Sequence, residues 1–345
     1  MPQVVPAIAA VASWTVPVAG VNLAVGAFLV NTVSSIAMSA LATAIRGKPE
    51  VRQPGITTTT TTAGGTVPQR LSCGRYATAG QMVAPMMVYQ SDGNPNEWLV
   101  YVISFADKPV TGLGRIIVDG RYHTIDGNPA ASLHGDGMGA TTLDLANSDW
   151  DGLRNDIFIR FHDGNQTTPD AYLRRVFGDY PERPWTADMI GTGVSYVVVT
   201  FKGKAGTEDY GGFPSIKFEV DGHKLLDPRD GQVKFTRNPA VIAWNILRGI
   251  DIPGGDVWGV GARDFVPGYV IAAANTCDSL VPTAGGGTRV RYQAGLEVSV
   301  SDEPHQALTE MVKAMGGDVA DMGGTWLLSA GEPGGAVLSL SLIHI

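Results

Sequence analysis

The side chains able to do chemistry are few and scattered. The chain holds six histidines, His123, His134, His162, His223, His305 and His344. No two stand at i, i+3 or i, i+4 on a predicted helix, so no HExxH-type zinc site is written here. His134-Gly135-Asp136-Gly137 and His162-Asp163-Gly164 match no calcium-loop register and read as exposed turn residues. The two cysteines, Cys73 and Cys277, lie about two hundred residues apart with no CxxC or zinc spacing. Each is expected to be a small buried hydrophobe rather than half of a disulfide. Cys277 as a nucleophile would need a histidine beside it. Neither a GxSxG elbow nor a GxxxxGK[ST] phosphate loop occurs, and Gly135–Gly139 lacks a strand-to-helix frame. A pair such as Asp179 and Glu182 could cleave sugars only at a separation that sequence does not set. The expectation is therefore no catalytic, cofactor-binding or metal-ligating residue, no cofactor, and a protein that is not an enzyme.

The elements that would position such groups are mostly strands. Of 345 residues, 44% are apolar and 17% charged, enough for sizeable cores. The 44 glycines and 21 prolines favour many short strands joined by turns. A net charge of −8 argues against specific nucleic-acid binding on the outer surface. It leaves room for DNA passing through an acidic lumen without sticking.

The chain is organised around residues 213–249, FPSIKFEVDGHKLLDPRDGQVKFTRNPAVIAWNILRG. Ile216, Phe218 and Val220 alternate with polar residues, as in a half-buried strand. Asp221-Gly222 predicts a hairpin turn, with residues 223–226 as the returning strand. Asp227-Pro228-Arg229-Asp230-Gly231 is a second turn, in which Pro presets φ and Gly supplies a positive φ. Asp227, Arg229 and Arg237 read as ion pairs pinning that turn. Asn238 is the expected N-cap of a helix with Pro239 at its first position, and Gly249 ends it. A later helix over 264–277 closes on Cys277-Asp278.

This order resembles the tail-tip host-specificity (tip attachment, tail hub) proteins of long-tailed bacteriophages and prophages. The family pattern is a GxxxxDPR turn, an NPA helix, then a helix ending in Cys-Asp. Arg70, Gly74, Arg75 and Gly80 match its entry segment, and Gly324, Trp326 and Leu328 match a hairpin further on. The motif residues are thus Gly74, Arg75, Gly80, Asp227, Pro228, Arg229, Asn238, Pro239, Cys277, Asp278 and Trp326, all in structural roles.

Taken in order, residues 1–47 form an apolar leader whose first charge is Arg46. Pro17 and Gly20 are expected to break it into two helices. The second, 21–45, is long enough to span a bilayer, which takes about 20 apolar residues. Three states stay open: a membrane-embedded helix pair, an apolar plug against partner subunits, or a core helix pair. Residues 48–68, with the threonine run 57–62, read as a flexible linker. Residues 69–235 hold strands at 98–104, 112–118, 121–125, 157–162 and 193–202, with a hairpin at Asp119-Gly120 and a short helix within 168–185. Residues 236–337 alternate helices and strands, including a helix after Ser301-Asp302-Glu303-Pro304. Residues 338–345 break off mid-pattern, and the resemblance implies a truncated or non-native end, with a natural stop as the alternative. The fold class is thus mainly β with α+β: an apolar helical leader, β-rich hub domains and a smaller α+β domain.

The resemblance implies a homotrimeric virion protein at the phage tail tip. It would cap the tail tube, contact distal tail, tail-tube and tape-measure proteins, and open for DNA delivery. A host receptor would be met through a missing C-terminal part, and a host membrane through residues 4–45. The alternative is a membrane-anchored cell-surface β protein with glycan-binding or hydrolase activity.

Overall fold

A computed structural model describes residues 68–331 apart from 90–97, 119, 127–140, 145–156, 182 and 203–214. It also describes two strand backbones, β1 (Val16–Val18) and β2 (Val21–Leu23). The chain divides into two compact units, 1–53 and 54–345. In the first, β1 and β2 pair antiparallel, with Val18 opposite Val21. This corrects the helical expectation over those six residues. Val16, Val18 and Val21 are β-branched, and Pro17 and Gly20 disfavour a helix interior. The rest of the leader, the linker and residues 338–345 lie outside the described residues.

The second unit is strand-rich, and its large sheet curls back on itself. Its strands are β3 (Arg70–Thr78), β4 (Gln81–Met82), β5 (Met87–Tyr89), β6 (Trp98–Ala106), β7 (Gly112–Val118), β8 (Arg121–Asp126), β9 (Thr141–Asp144), β10 (Ile157–His162), β11 (Ser195–Lys202) and β12 (Ile216–Asp221). The hydrogen-bonded order runs β3-β12-β7-β8-β9-β10-β11-β6-β4, every pair antiparallel. Because β4 continues β3 past a bend at Ala79-Gly80, the path closes into a barrel. Closure removes the exposed strand edges that invite aggregation.

Alternation along the strands divides inside from outside. Val197 and Val199 of β11 join Ile103, Phe105, Ile116 and Phe218 in the barrel interior, all at most 1% exposed. Val198 and Tyr196 face the other way, with Val100 and Val102, beneath α1 (Ala171–Phe177). Tyr172, Leu173 and Phe177 of α1 are the residues that seal this outer face.

The predicted hairpin at Asp119-Gly120 is present: Val118 pairs with Arg121, and Gly120 has φ +82°. The predicted hairpin at Asp221-Gly222 is not. β12 instead has β3 on one edge and β7 on the other, so no edge remains for a returning strand. Gly222 matters there for closeness, since a Cβ would stand 2.2 Å from the Ser72 carbonyl oxygen. β13 (Leu225–Leu226) pairs with β14 (Val233–Lys234) across the DPRDG turn.

Three helices build the remaining core: α2 (Pro239–Arg248), α3 (Pro267–Asp278) and α4 (Pro304–Ala314). They pack Val241, Ile246, Ala274 and Leu308 with Leu71 and Cys73 of β3. Small strands frame them: β15 (Ile250–Asp251) with β16 (Val257–Trp258), β17 (Asp264–Phe265), and β18 (Leu280–Pro282) with β19 (Thr288–Val290). β20 (Gly295–Ser299) extends the large sheet on β3, while β21 (Asp318–Met322) and β22 (Thr325–Ser329) join β17. The expected cap of α4 is also corrected. Glu303 is its N-cap without a side-chain bond, and Asp302 accepts from the Ser299 N–H instead (2.8 Å).

Gly80 is where closure is most exacting. It has φ +66°, and a Cβ would lie 2.5 Å from Ile103 Cγ2 and 2.7 Å from the Ser104 carbonyl. Gly80→Ala is expected to destabilise by at least about 2 kcal/mol, from left-handed strain plus the clash. Gly120→Ala, with positive φ but open space around it, should lose only about 1 kcal/mol. Urea denaturation of the two variants against the parent reads the difference.

Candidate functional site

Some of the residues that carried the resemblance, those of the DPR turn, the NPA helix start and the Cys-Asp helix end, come together at one junction. Asp227 is fully buried. Its carboxylate accepts from Arg229 Nε (2.9 Å) and Nη2 (2.7 Å) and from the Arg229 backbone N–H (3.0 Å). Lys234 Nζ stands 3.1 Å away. These bonds hold the Asp227 carboxyl far below the usual range, the Arg229 side chain contributing most. Arg229 Nη1 then reaches Asp278 Oδ2 at 2.7 Å, tying the turn to the C-terminus of α3. Cys277 beside it is buried in the helical core, and burial pushes its thiol up to about 11.

Asn238 works in two directions. Its side-chain oxygen accepts from the N–H groups of Ala240 (3.0 Å) and Val241 (3.3 Å), which are free donors at the helix start. Its amide nitrogen donates to the Ala274 carbonyl of α3 at 2.8 Å. Pro239 opens α2 behind it. Trp326 lies further off in β22, pairing with Phe265 and Asp321 and packing on the same core.

Gly74, Arg75 and Gly80 lie on β3 and its bend. Gly74 has φ +69° and touches the Ala294 backbone. Arg75 grips Asp221 with two bonds of 2.6 and 2.8 Å across β3 and β12. Arg115 grips Glu219 in the same way at 2.8 Å on the adjoining pair.

Other chemistry-bearing groups are likewise engaged. His162 is not an exposed turn residue as expected, because it ends β10 with Nε2 2.8 Å from Asp170 and its ring stacked on Tyr196. Asp170 caps α1 and also takes Arg160 Nε at 2.8 Å. Burial would raise its carboxyl, yet His162, Arg160 and the Leu173 N–H together hold it at about 2. Glu297 is buried on β20 and accepts from the Thr78 hydroxyl at 3.0 Å. Cys73 is a buried free thiol, pushed by burial to about 12. Among the described residues no group of three His, Cys, Asp or Glu side chains could hold a metal. No described helix is long and apolar enough to cross a membrane. His134 and its glycine-rich loop, and Glu182 of the carboxylate pair, lie outside the described residues.

His223 was not singled out by sequence, where it sits inside the presumed returning strand. It is 1% exposed. Nε2 accepts from the Ser72 N–H (3.1 Å) and Nδ1–H donates to the Pro109 carbonyl (3.0 Å). That pair of bonds defines one neutral tautomer. Its only sequence signal was its place directly after a glycine, between Asp221 and Lys224.

No protein-family profile and no curated protein matches the sequence. Among solved structures, a chain of the "Virion of native gene transfer agent (GTA) particle" is similar. Identity is 14% and the TM-score 0.40, over 88% of this chain and 64% of that chain. By its own strand pairings, the described part of the second unit is a closed antiparallel barrel bearing an α+β layer.

Two measurements probe this region. Asp227→Asn leaves the Arg229 cluster without its buried anion and should lose about 3 kcal/mol. Asp278→Asn, at 43% side-chain exposure, should lose under about 1 kcal/mol by urea denaturation. His223 is lowered from 6.5 to about 4, chiefly by burial. Protons therefore bind the unfolded chain first. Stability from the neutral His223 is full above pH 6.5 and falls as pH drops through about 4, by about 3 kcal/mol in total. His223→Gln should flatten that slope in a pH series of melts. Asp227 and Asp170 act lower, below their ordinary 3.8.

Proposed function

We propose that this chain is the front part of a tail-tip hub in a long-tailed phage or phage-like particle. It caps the tail tube, joins it to receptor-binding parts and opens for DNA delivery. Its partners are two sister copies around the tail axis, tail-tube and distal tail proteins, and the tape-measure protein. The apolar residues 4–45 would contact the host membrane. Its role is mechanical rather than catalytic.

One observation carries this proposal. The separate stretches that resemble the family, DPR, NPA and Cys-Asp, are bonded to one another through Arg229 with Asp278 and Asn238 with Ala274. They make a rigid junction, which suits a load-bearing part. The barrel interior supports it in a second way. It is packed with side chains such as Phe105 and Phe218, whose rings lie 5.0 Å apart. A route for DNA would therefore run between copies and not through this barrel.

Native mass spectrometry of the full chain is expected to give a complex of three times 36.3 kDa. Peptides of this chain should also appear in particles purified from the encoding bacterium. A monomer that hydrolyses glycans, absent from such particles, would overturn the proposal.

A further inference from the structure

Beside α1 the described residues line an apolar cavity. Between residues 83–87 and the segment 180–194 opens a cavity of about 600 Å³. That size suits a single small ligand, for which roughly 300–1,000 Å³ is usual. Its walls are apolar and rich in thioethers, with Met86, Met87 and Met189 beside Trp185 and Ile190. Methionine adapts its shape to flexible apolar ligands. Among the described residues ten large hydrophobics are well exposed, and four of them, Val83, Met86, Tyr180 and Met189, stand on this patch. A soluble surface scatters such residues unless something covers them.

The open polar groups of the lining have one character, for all can donate. Arg183 is exposed and lines the cavity. The Tyr196 hydroxyl and the Trp185 indole N–H are buried without a partner. The Thr186 hydroxyl is already given to Asp188, which also feels Arg174. No described carboxylate lines the cavity. An occupant that complements this wall has an apolar body and an anionic, acceptor-bearing head.

We propose that the cavity binds a free acyl-chain carboxylate, with the tail among Met86, Met87 and Met189 and the head on Arg183. This goes beyond the hub assignment and does not depend on it, because the cavity shares no residue with the Asp227–Asp278 junction. The test is titration of the full chain with sodium laurate below its micelle concentration, followed by calorimetry. Dodecanol and dodecylammonium serve as probes of equal tail length. Laurate is expected to bind at least tenfold more tightly than either. Arg183→Gln should bring laurate down to the dodecanol level and leave dodecanol unchanged. Ala84→Trp, which fills the mouth, should abolish binding of all three. Met189→Asp on the exposed rim serves the same end if Ala84→Trp lowers the melting temperature. Equal binding of laurate and dodecylammonium, or laurate binding indifferent to these variants, overturns the proposal. So does finding that the face is closed by a second copy, seen as dimerisation that Ala84→Trp prevents without any laurate binding to the parent.

Discussion

A single bent segment, Arg70–Met82, sets the terms for everything around it. Its first part pairs with β20, its middle with β12, and past Gly80 it pairs with β6. One run of backbone therefore closes the barrel and also floors the helical layer. Leu71 and Cys73 lie in the helical core, while Ile103 and Phe105, which flank the bend, fill the barrel. A barrel needs a consistent tilt and register all the way round. At this bend the segment changes partners, and a glycine in the left-handed region is the cheapest backbone there.

Around that segment the structure buries charge instead of avoiding it. Asp227, Asp170 and Glu297 are each 2% exposed or less. Each is met by named donors: Arg229 and Lys234 for Asp227, Arg160 and His162 for Asp170, Thr78 for Glu297. Such clusters add little net stability over an apolar core, but they are very costly to break halfway. They act as fixed joints: turn to helix end at Asp227, strand to helix at Asp170, and strand to neighbouring strand at Glu297.

Much of the local structure was legible. The strands at 98–106, 112–118, 157–162 and 195–202 follow β-branched and aromatic runs. The Asn238-Pro239 helix start follows from capping chemistry alone. The turn-pinning pair of Asp227 and Arg229 was also readable, because its partners are two residues apart. What was not readable was distant: Asp278 lies 49 residues from Arg229 and Ala274 lies 36 from Asn238. The Asp221-Gly222 hairpin misled for the same reason. Turn chemistry is local, but β12 has both edges taken by strands far away in the chain. β21 escaped notice because it is mostly exposed and carries no alternation.

By itself the sequence determined the apolar strands, the DPRDG turn and the Asn238 cap. Those choices rest on side-chain shape and on hydrogen bonds spanning a few residues. Only the tertiary structure decided which strands are neighbours, that β3 and β4 close a barrel, and that Arg229 meets Asp278. It also decided that an apolar cavity opens beside α1. These depend on contacts between residues far apart in the chain, where many pairings satisfy the local pattern equally well. Only packing the whole sheet around its filled interior separates them.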